Sequence, residues 1–87
     1  MHVLHIAVGK TIKGLRKQHG VSQEKLADAI DSHQVYISEI ERGLKTPSLQ
    51  ILLEIAVFFG ISLTELVSMI EKNIYIESAE KEEKKNR

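Results

Sequence analysis

The sequence predicts an all-α protein built as one domain, and three observations lead to this prediction. The chain has 87 residues, of which 43% are hydrophobic and 28% are charged, a balance that is ordinary for a globular domain and too apolar for general disorder. Apolar residues recur at the three- and four-residue spacing of helices. Glycines and short polar turns separate these segments, with no long linker and no internal repeat. Five short helices with connections of about two to four residues account for this pattern.

The first helix is expected over about residues 8–19. Val8, Ile12 and Leu15 recur on one face, whereas lysines occupy the other faces. Gly20 follows in the position where a left-handed residue commonly ends a helix.

The second helix is expected to begin after Ser22, whose hydroxyl can cap the free N–H groups of the first turn. Leu26, Ala27 and Ile30 form its apolar stripe. Asp31 then occupies a position where a tight turn often has glycine, and aspartate tolerates the left-handed region better than most residues.

The third helix is expected over about residues 33–42, with Ile37 and Ile40 facing inward and Gly43 closing it. Only about three residues separate it from the second helix, a short connection that favours a steep crossing. The sequence therefore predicts a helix-turn-helix over about residues 22–42.

The outward face of the third helix has a composition suited to nucleic acid. An amide can pair with adenine, an apolar side chain can contact a thymine methyl, and hydroxyl and guanidinium groups can donate to phosphates. A merely solvated face, the alternative, would more often carry Glu, Lys and Ala. The side chains in question are Gln34, Val35, Tyr36, Ser38 and Arg42.

Thr46 and Pro47 are a start signal for the fourth helix, a capping hydroxyl followed by proline at the first helical position. This helix should end at Gly60. The residues expected on its inward face are Leu49, Leu52, Ile55, Ala56 and Phe59.

A capping box from Ser62 to Glu65 opens the fifth helix, which is expected to end near Lys72. We therefore place the domain at residues 1–72. Residues 73–87 are expected to be a C-terminal extension, either a frayed helix or partly disordered.

Composition excludes several classes of protein. The chain has no cysteine, so disulfide scaffolds, zinc ribbons and thiol chemistry are excluded. The longest apolar run, residues 55–59, is far shorter than a membrane span, and no basic region precedes a long apolar stretch at the N-terminus. We expect a cytoplasmic protein without a membrane partner.

No catalytic, cofactor or metal site is expected. The sequence contains no recognisable nucleophile motif and no glycine-rich phosphate loop. His2 and His5 are three residues apart, but no third ligand has helical spacing with them. The sequence therefore does not predict an enzyme.

Residues 12–67 resemble the helix-turn-helix domain of the Cro and phage-repressor type, the XRE family. Four segments carry the resemblance: Ile-Lys-Gly-Leu-Arg (12–16), Ser-Gln-Glu-Lys-Leu-Ala (22–27), Tyr-Ile-Ser-Glu-Ile-Glu-Arg-Gly (36–43) and Thr-Pro-Ser-Leu (46–49). The resemblance implies a five-helix lambda-repressor-like fold and a transcriptional regulator that binds double-stranded DNA.

The resemblance also assigns roles to individual positions. The positions that read bases in the family are occupied here by Gln34, Val35 and Ser38. The positions that contact the DNA backbone are occupied by Gln23, Tyr36, Arg42, Lys45 and Thr46. Gln23 corresponds to a glutamine that also braces the one opening the recognition helix. Arg16 and Glu41 correspond to a structural salt bridge between the first and third helices.

Two residues depart from the family pattern. His33 stands where the family usually has a Ser, Thr or Asp cap. The free backbone N–H groups at the start of the third helix should therefore be less well satisfied by hydrogen bonds. Glu39 often corresponds to a basic or neutral residue, and it could accept from a cytosine amino group or only repel phosphates.

Helices four and five carry more apolar residues than one core needs, and such an excess usually marks an interface. The alternative, which is compatible with it, is that the C-terminal segment folds back over this surface. We expect a homodimer through residues Ile51, Val57, Phe58, Met69 and Ile70.

These observations favour a transcriptional regulator that binds a palindromic operator as a homodimer, as restriction–modification controllers and small phage repressors do. RNA polymerase would be a further partner of such a regulator. The alternative is an antitoxin that binds a toxin and regulates its own operon.

The net charge is zero, with 12 basic and 12 acidic residues. This balance initially argues against a nucleic-acid partner, because proteins that bind nucleic acid usually carry an excess of basic residues. The charges are unevenly distributed, however. Residues 10–20 hold Lys10, Lys13, Arg16 and Lys17 with no acidic residue, so one face can be basic while the total is zero.

Overall fold

The structure, a computed structural model, describes the backbone of residues 2–85 and the side chains of residues 2–80. The described part of the chain is helical and contains no strand, so the all-α prediction is confirmed. The elements in order are α1 (Val3–Gln18), α2 (Gln23–Ala29), α3 (Gln34–Glu41), α4 (Leu49–Phe59) and α5 (Leu63–Lys85).

Helix α1 begins at Val3, five residues before the expected start at Val8. Its buried face includes Val8, Ile12 and Leu15, as the periodicity predicts. Gly20 has φ +64°, the left-handed conformation that ends the helix.

The helix-turn-helix forms as the local sequence signals predict. The Ser22 hydroxyl accepts a hydrogen bond from the Lys25 backbone N–H at 3.0 Å, capping α2. Asp31 has a positive φ of 53° in the turn between the two helices. His33 occupies the N-cap of α3 with no side-chain hydrogen bond, as its departure from the family pattern suggests.

The prediction for the start of α4 was wrong. The capping hydroxyl belongs to Ser48, which accepts from the Ile51 N–H at 3.2 Å. Thr46 and Pro47 therefore precede the helix. Leu49, expected on the inward face, is 66% exposed, because it lies on the same side of α4 as the exposed Leu53 and Val57.

The capping box at the start of α5 is present: Ser62 Oγ accepts from the Glu65 N–H at 3.0 Å, and the Glu65 carboxylate accepts from the Ser62 N–H at 3.4 Å. The expected end near Lys72 was wrong, because α5 continues to Lys85. No glycine or proline follows Lys72, and most of the later residues are good helix formers.

The continuation of α5 packs along α1. Asn73 Nδ2 donates to Thr11 Oγ1 at 2.8 Å, and Lys10 forms an ion pair with Glu77. Ile74 packs against the core. The expected boundary between residues 72 and 73 thus falls within a helix, and residues 86 and 87 of the expected extension lie outside the described part.

Residues 2–85 include no single helix that is long and apolar enough to cross a membrane. Helices α4 and α5 pass such a test only when they are taken together, and they are bent by 105° at the break between them.

Candidate nucleic-acid interface

Helix α3 is anchored by one face and exposed on the other. Ile37 and Ile40 are completely buried in the core. Gln34 is exposed, Ser38 is half-buried, and Val35 is 68% exposed. The three side chains expected to contact bases therefore lie on the accessible side of a firmly packed helix.

A chain of polar contacts connects α1 to the start of α3. Arg16 Nε donates to Glu41 Oε2 at 2.7 Å, and Arg16 Nη2 donates to Glu41 Oε1 at 2.9 Å. Gln23 Nε2 donates to the same Oε1 at 3.0 Å. Gln34 Nε2 then donates to Gln23 Oε1 at 3.3 Å. The bidentate Arg16–Glu41 ion pair and the two glutamine amides thus form one continuous series of hydrogen bonds.

Glu41 remains ionised in this setting. Burial alone would raise the pKa of its carboxyl, but the hydrogen bonds from Arg16 and Gln23, together with the positive charge of Arg16, hold the pKa below its ordinary value. The hydrogen bond to Glu41 likewise raises the pKa of Arg16. The pair is therefore fully charged near neutral pH.

A shallow surface depression of about 300 Å³ lies over this series. Its lining includes all three residues expected to contact bases and two of the five residues expected to contact the DNA backbone. Its lining consists of Gln23, Gln34, Val35, Ser38 and Arg42.

The other residues expected to contact the DNA backbone do not line this depression. Tyr36 is half-buried and packs against the core, and Thr46 is exposed. Lys45 Nζ lies 3.4 Å from Glu39 Oε1, with 55% of the lysine side chain exposed. Glu39 is thus paired with Lys45 in the protein alone.

Sequence reasoning missed the role of Gly9 in placing α3. A Cβ atom at this position would lie 2.5 Å from the backbone oxygen of Ile40 and 2.8 Å from that of Glu41. Only glycine lets α1 approach the end of α3 this closely. A glycine inside an otherwise helical apolar pattern was the available signal.

The basic character of α1 is lower than its sequence suggests. Lys10 is paired with Glu77 of α5, and Arg16 is paired with Glu41. Lys13 and Lys17 are exposed, and neither forms an ion pair with any side chain that the structure describes.

One residue expected in the dimer interface is wrongly assigned. Ile70 is only 5% exposed and belongs to the core, because α5 turns that side toward α1 and α4. Val57 is 69% exposed, whereas the remaining residues of the expected set pack partly against the core. Those residues are Ile51, Phe58 and Met69.

Two exposed leucines on α4 were not included in that set. Leu49 and Leu53 are 66% and 42% exposed and precede Val57 at four-residue steps. The three side chains therefore form an exposed apolar stripe along one side of α4.

Comparison with known proteins assigns the chain to a family. The helix-turn-helix family matches residues 12–66, which include the whole of α2, α3 and α4. The chain is similar to the control protein C.MunI of a Mycoplasma species, with 42% identity over 73 residues that cover 83% of this chain and 99% of that protein.

Solved structures share the fold. The chain resembles the clp gene regulator ClgR from Corynebacterium glutamicum with a TM-score of 0.86 and 26% identity, covering 94% of this chain and 87% of that one. It also resembles the restriction–modification controller protein C.Esp1396I, solved as a tetramer with its natural 35-base-pair operator, with a TM-score of 0.76 and 29% identity over 86% of this chain and 99% of that one. With sequence and fold in agreement, the chain belongs to the helix-turn-helix family of the Cro and phage-repressor type.

Proposed function

We propose that this protein is a transcriptional regulator that binds double-stranded DNA sequence-specifically by placing α3 in the major groove. The observation that carries the proposal is the depression over α3, where Gln34, Val35 and Ser38 are collected on the accessible side of an anchored helix. An α-helix fits the width of the major groove, and only there does each base pair present a distinct pattern.

Each of these side chains has a chemical counterpart on a base edge. The Gln34 amide can accept from and donate to adenine, the exposed Val35 can contact a thymine methyl, and the Ser38 hydroxyl can serve either type of base. Arg42 and Gln23, which also line this depression, are suited to donate to phosphates and so fix the register of the helix.

The remaining backbone contacts would come from Tyr36, Lys45 and Thr46. The Lys45–Glu39 contact is an exposed pair of a kind that contributes little in water. Lys45 can therefore leave Glu39 and contact a DNA phosphate with little loss of free energy.

The protein would act as a homodimer on a palindromic operator. Two recognition helices related by a two-fold axis read half-sites about 34 Å apart, and one such helix makes too few contacts for useful specificity. The proposed interface draws on apolar residues of α4 and α5. Val57 forms an exposed stripe of α4 together with Leu49 and Leu53. Ile51, Phe58 and Met69, the other residues of the expected set, are partly buried against the core.

The similarity to C.MunI and C.Esp1396I favours a controller of a restriction–modification system. Such a regulator would control its own transcription and would have RNA polymerase as a further partner. The antitoxin hypothesis, with its toxin partner, finds no support among the relatives named above. Nor do these relatives suggest an enzymatic activity.

Selection of bound sites from random duplex DNA tests the proposal. We expect enrichment of one palindromic sequence whose half-sites are about one helical turn apart. Gln34→Ala serves as the matched variant and should change the preferred base at one position of each half-site. Failure to enrich any sequence would contradict the proposed function.

A further inference from the structure

The series of hydrogen bonds that joins Glu41, Gln23 and Gln34 has a fixed direction of donation. A carboxylate only accepts hydrogen bonds, whereas a glutamine amide donates at one end and accepts at the other. Gln23 places its Nε2 3.0 Å from the Glu41 carboxylate, and its Oε1 receives Gln34 Nε2 at 3.3 Å. The carboxylate therefore determines the orientation of the first amide, and the first amide determines that of the second.

The start of this series is firmly held. The Glu41 side chain is 4% exposed, and both of its oxygens accept from the Arg16 guanidinium. If the Gln23 amide were reversed, its carbonyl oxygen would face the carboxylate, and two acceptors would meet with no hydrogen between them. The orientation in which Gln23 donates to Glu41 is the one that keeps the bond.

The orientation of Gln34 decides which base edge it matches. One Nε2 hydrogen is used by Gln23, so the amide has its Oε1 acceptor and one N–H donor left for a ligand. In the major groove adenine presents an amino donor and the N7 acceptor, whereas guanine presents two acceptors. The Oε1 acceptor and the remaining N–H donor of Gln34 therefore match the amino group and N7 of adenine. Against guanine, the Oε1 acceptor would face another acceptor.

We propose that Glu41 is a positioning residue for base recognition, which acts through Gln23 to orient the Gln34 amide so that it reads adenine and rejects guanine. This inference rests on the proposed function, in which Gln34 contacts a base. It adds to the structural role of Glu41 in the ion pair a second role, in specificity.

The test uses the duplex of highest affinity selected from a random library by the wild-type protein. Each A·T pair is replaced singly by G·C, and the ratio of the two dissociation constants is measured at every position. The position at which Gln34→Ala loses its discrimination is the one read by Gln34. There the wild-type protein should prefer adenine by about tenfold or more, since a good bidentate contact contributes about this much discrimination.

Two substitutions interrupt the series at different points. Glu41→Gln supplies a group that can donate as well as accept, and Gln23→Met removes the intervening amide while leaving the ion pair of Glu41 in place. Both should reduce the adenine preference at that position to about threefold or less, a loss of at least half of the discriminating free energy. The preferences at positions not read by Gln34 should stay unchanged.

Arg16→Met is the matched control, because it breaks the same ion pair but leaves the carboxylate as an acceptor for Gln23. This variant should be less stable in thermal unfolding yet retain the adenine preference, because the Glu41 carboxyl keeps an oxygen that can accept from Gln23. Loss of the preference in Arg16→Met as well as in Glu41→Gln, with Gln23→Met unaffected, would show a purely structural effect and overturn the inference.

The remaining outcomes separate this inference from the proposed function. If Gln34→Ala removes the preference while Glu41→Gln and Gln23→Met both retain it, positioning by Glu41 is wrong and base reading by Gln34 stands. If Gln34→Ala changes the preference at no position, the base contact itself is wrong, and the inference fails with it.

Discussion

At the residue scale, the stability of the domain depends on the charge state of Glu41. Its pKa in the folded protein lies below the ordinary value of 4.5, so the folded state favours the ionised form. The stabilisation is therefore complete above that ordinary value and is lost as the pH falls through the lower pKa of the folded state.

Glu41→Gln should reveal this dependence. At about pH 7 the substitution should lower the free energy of unfolding by about 3 kcal/mol, because it leaves the partly buried Arg16 without its counter-charge. The difference between the two proteins should shrink as the pH is lowered below about 4.5. Urea unfolding at a series of pH values measures it, and a difference that is independent of pH would contradict the assigned charge state.

Lys45→Ala tests a contact with the DNA backbone. Because a phosphate contact carries no sequence information, the substitution should weaken binding to selected and random duplexes by the same factor. It should also reduce the slope of log K against log salt concentration by about one. A loss confined to the selected duplex would exclude this role.

Sequence reasoning was most reliable at this scale where chemistry is local. The Ser22 cap and the left-handed Asp31 follow from properties of single residue types, because a serine hydroxyl accepts from the first turn of a helix and aspartate tolerates a positive φ. It failed at Thr46, because two hydroxyl residues stood two positions apart and only the path of the chain decides that Ser48 caps α4.

At the scale of elements, the placement of α3 depends on how closely α1 can approach it. Gly9 permits this contact, and the backbone oxygen of Ile40 lies where a side chain would otherwise stand. The resulting position of α1 also brings Arg16 to Glu41. The backbone packing at Gly9 and the Arg16–Glu41 ion pair thus hold the same end of α3.

Gly9→Ala should therefore destabilise the fold, by about 1–3 kcal/mol, since the new methyl group overpacks the helix contact. Gly14→Ala is the matched control in the same helix, because a Cβ atom there meets nothing within 4 Å. The control should gain up to about 1 kcal/mol from helix propensity. Equal effects of the two substitutions on urea unfolding would contradict the close-packing account.

Periodicity predicted the existence and order of all five helices but not the length of α5. The residues after Lys72 carry few apolar groups, so their pattern alone does not distinguish a helix from a tail. What holds this segment is long-range: Asn73 contacts Thr11, and Glu77 contacts Lys10, both on α1. For the same reason the burial of Ile70 could not be predicted from α5 by itself.

At the scale of the whole molecule, a net charge of zero is compatible with binding DNA, because charges act locally. Screening limits their reach to about 8 Å at physiological salt. The pairing of Lys10 and Arg16 within the protein leaves Lys13 and Lys17 as the lysines of α1 that form no ion pair with a side chain the structure describes. We therefore expect weak non-specific binding and a strong reliance on base contacts and dimerisation.

The proposed dimer is tested at Val57, which is 69% exposed and does not belong to the core. Val57→Asp should give a folded monomer in sedimentation velocity, because it places a charge in an apolar interface. Phe58 is a poorer choice, since it packs against the core and its replacement would also disturb the fold. Gln50→Asp, at an exposed position of the same helix, is the control and should leave the dimer intact. A dimer that survives Val57→Asp would place the interface elsewhere.

The central claim is that α3 reads base sequence through Gln34. It is tested most directly by measuring the affinities of the wild-type protein and of Gln34→Ala for one selected duplex and for a shuffled duplex of the same composition. We predict that Gln34→Ala weakens binding to the selected duplex by about 1–3 kcal/mol and leaves binding to the shuffled duplex nearly unchanged. An equal loss on both duplexes would contradict the claim.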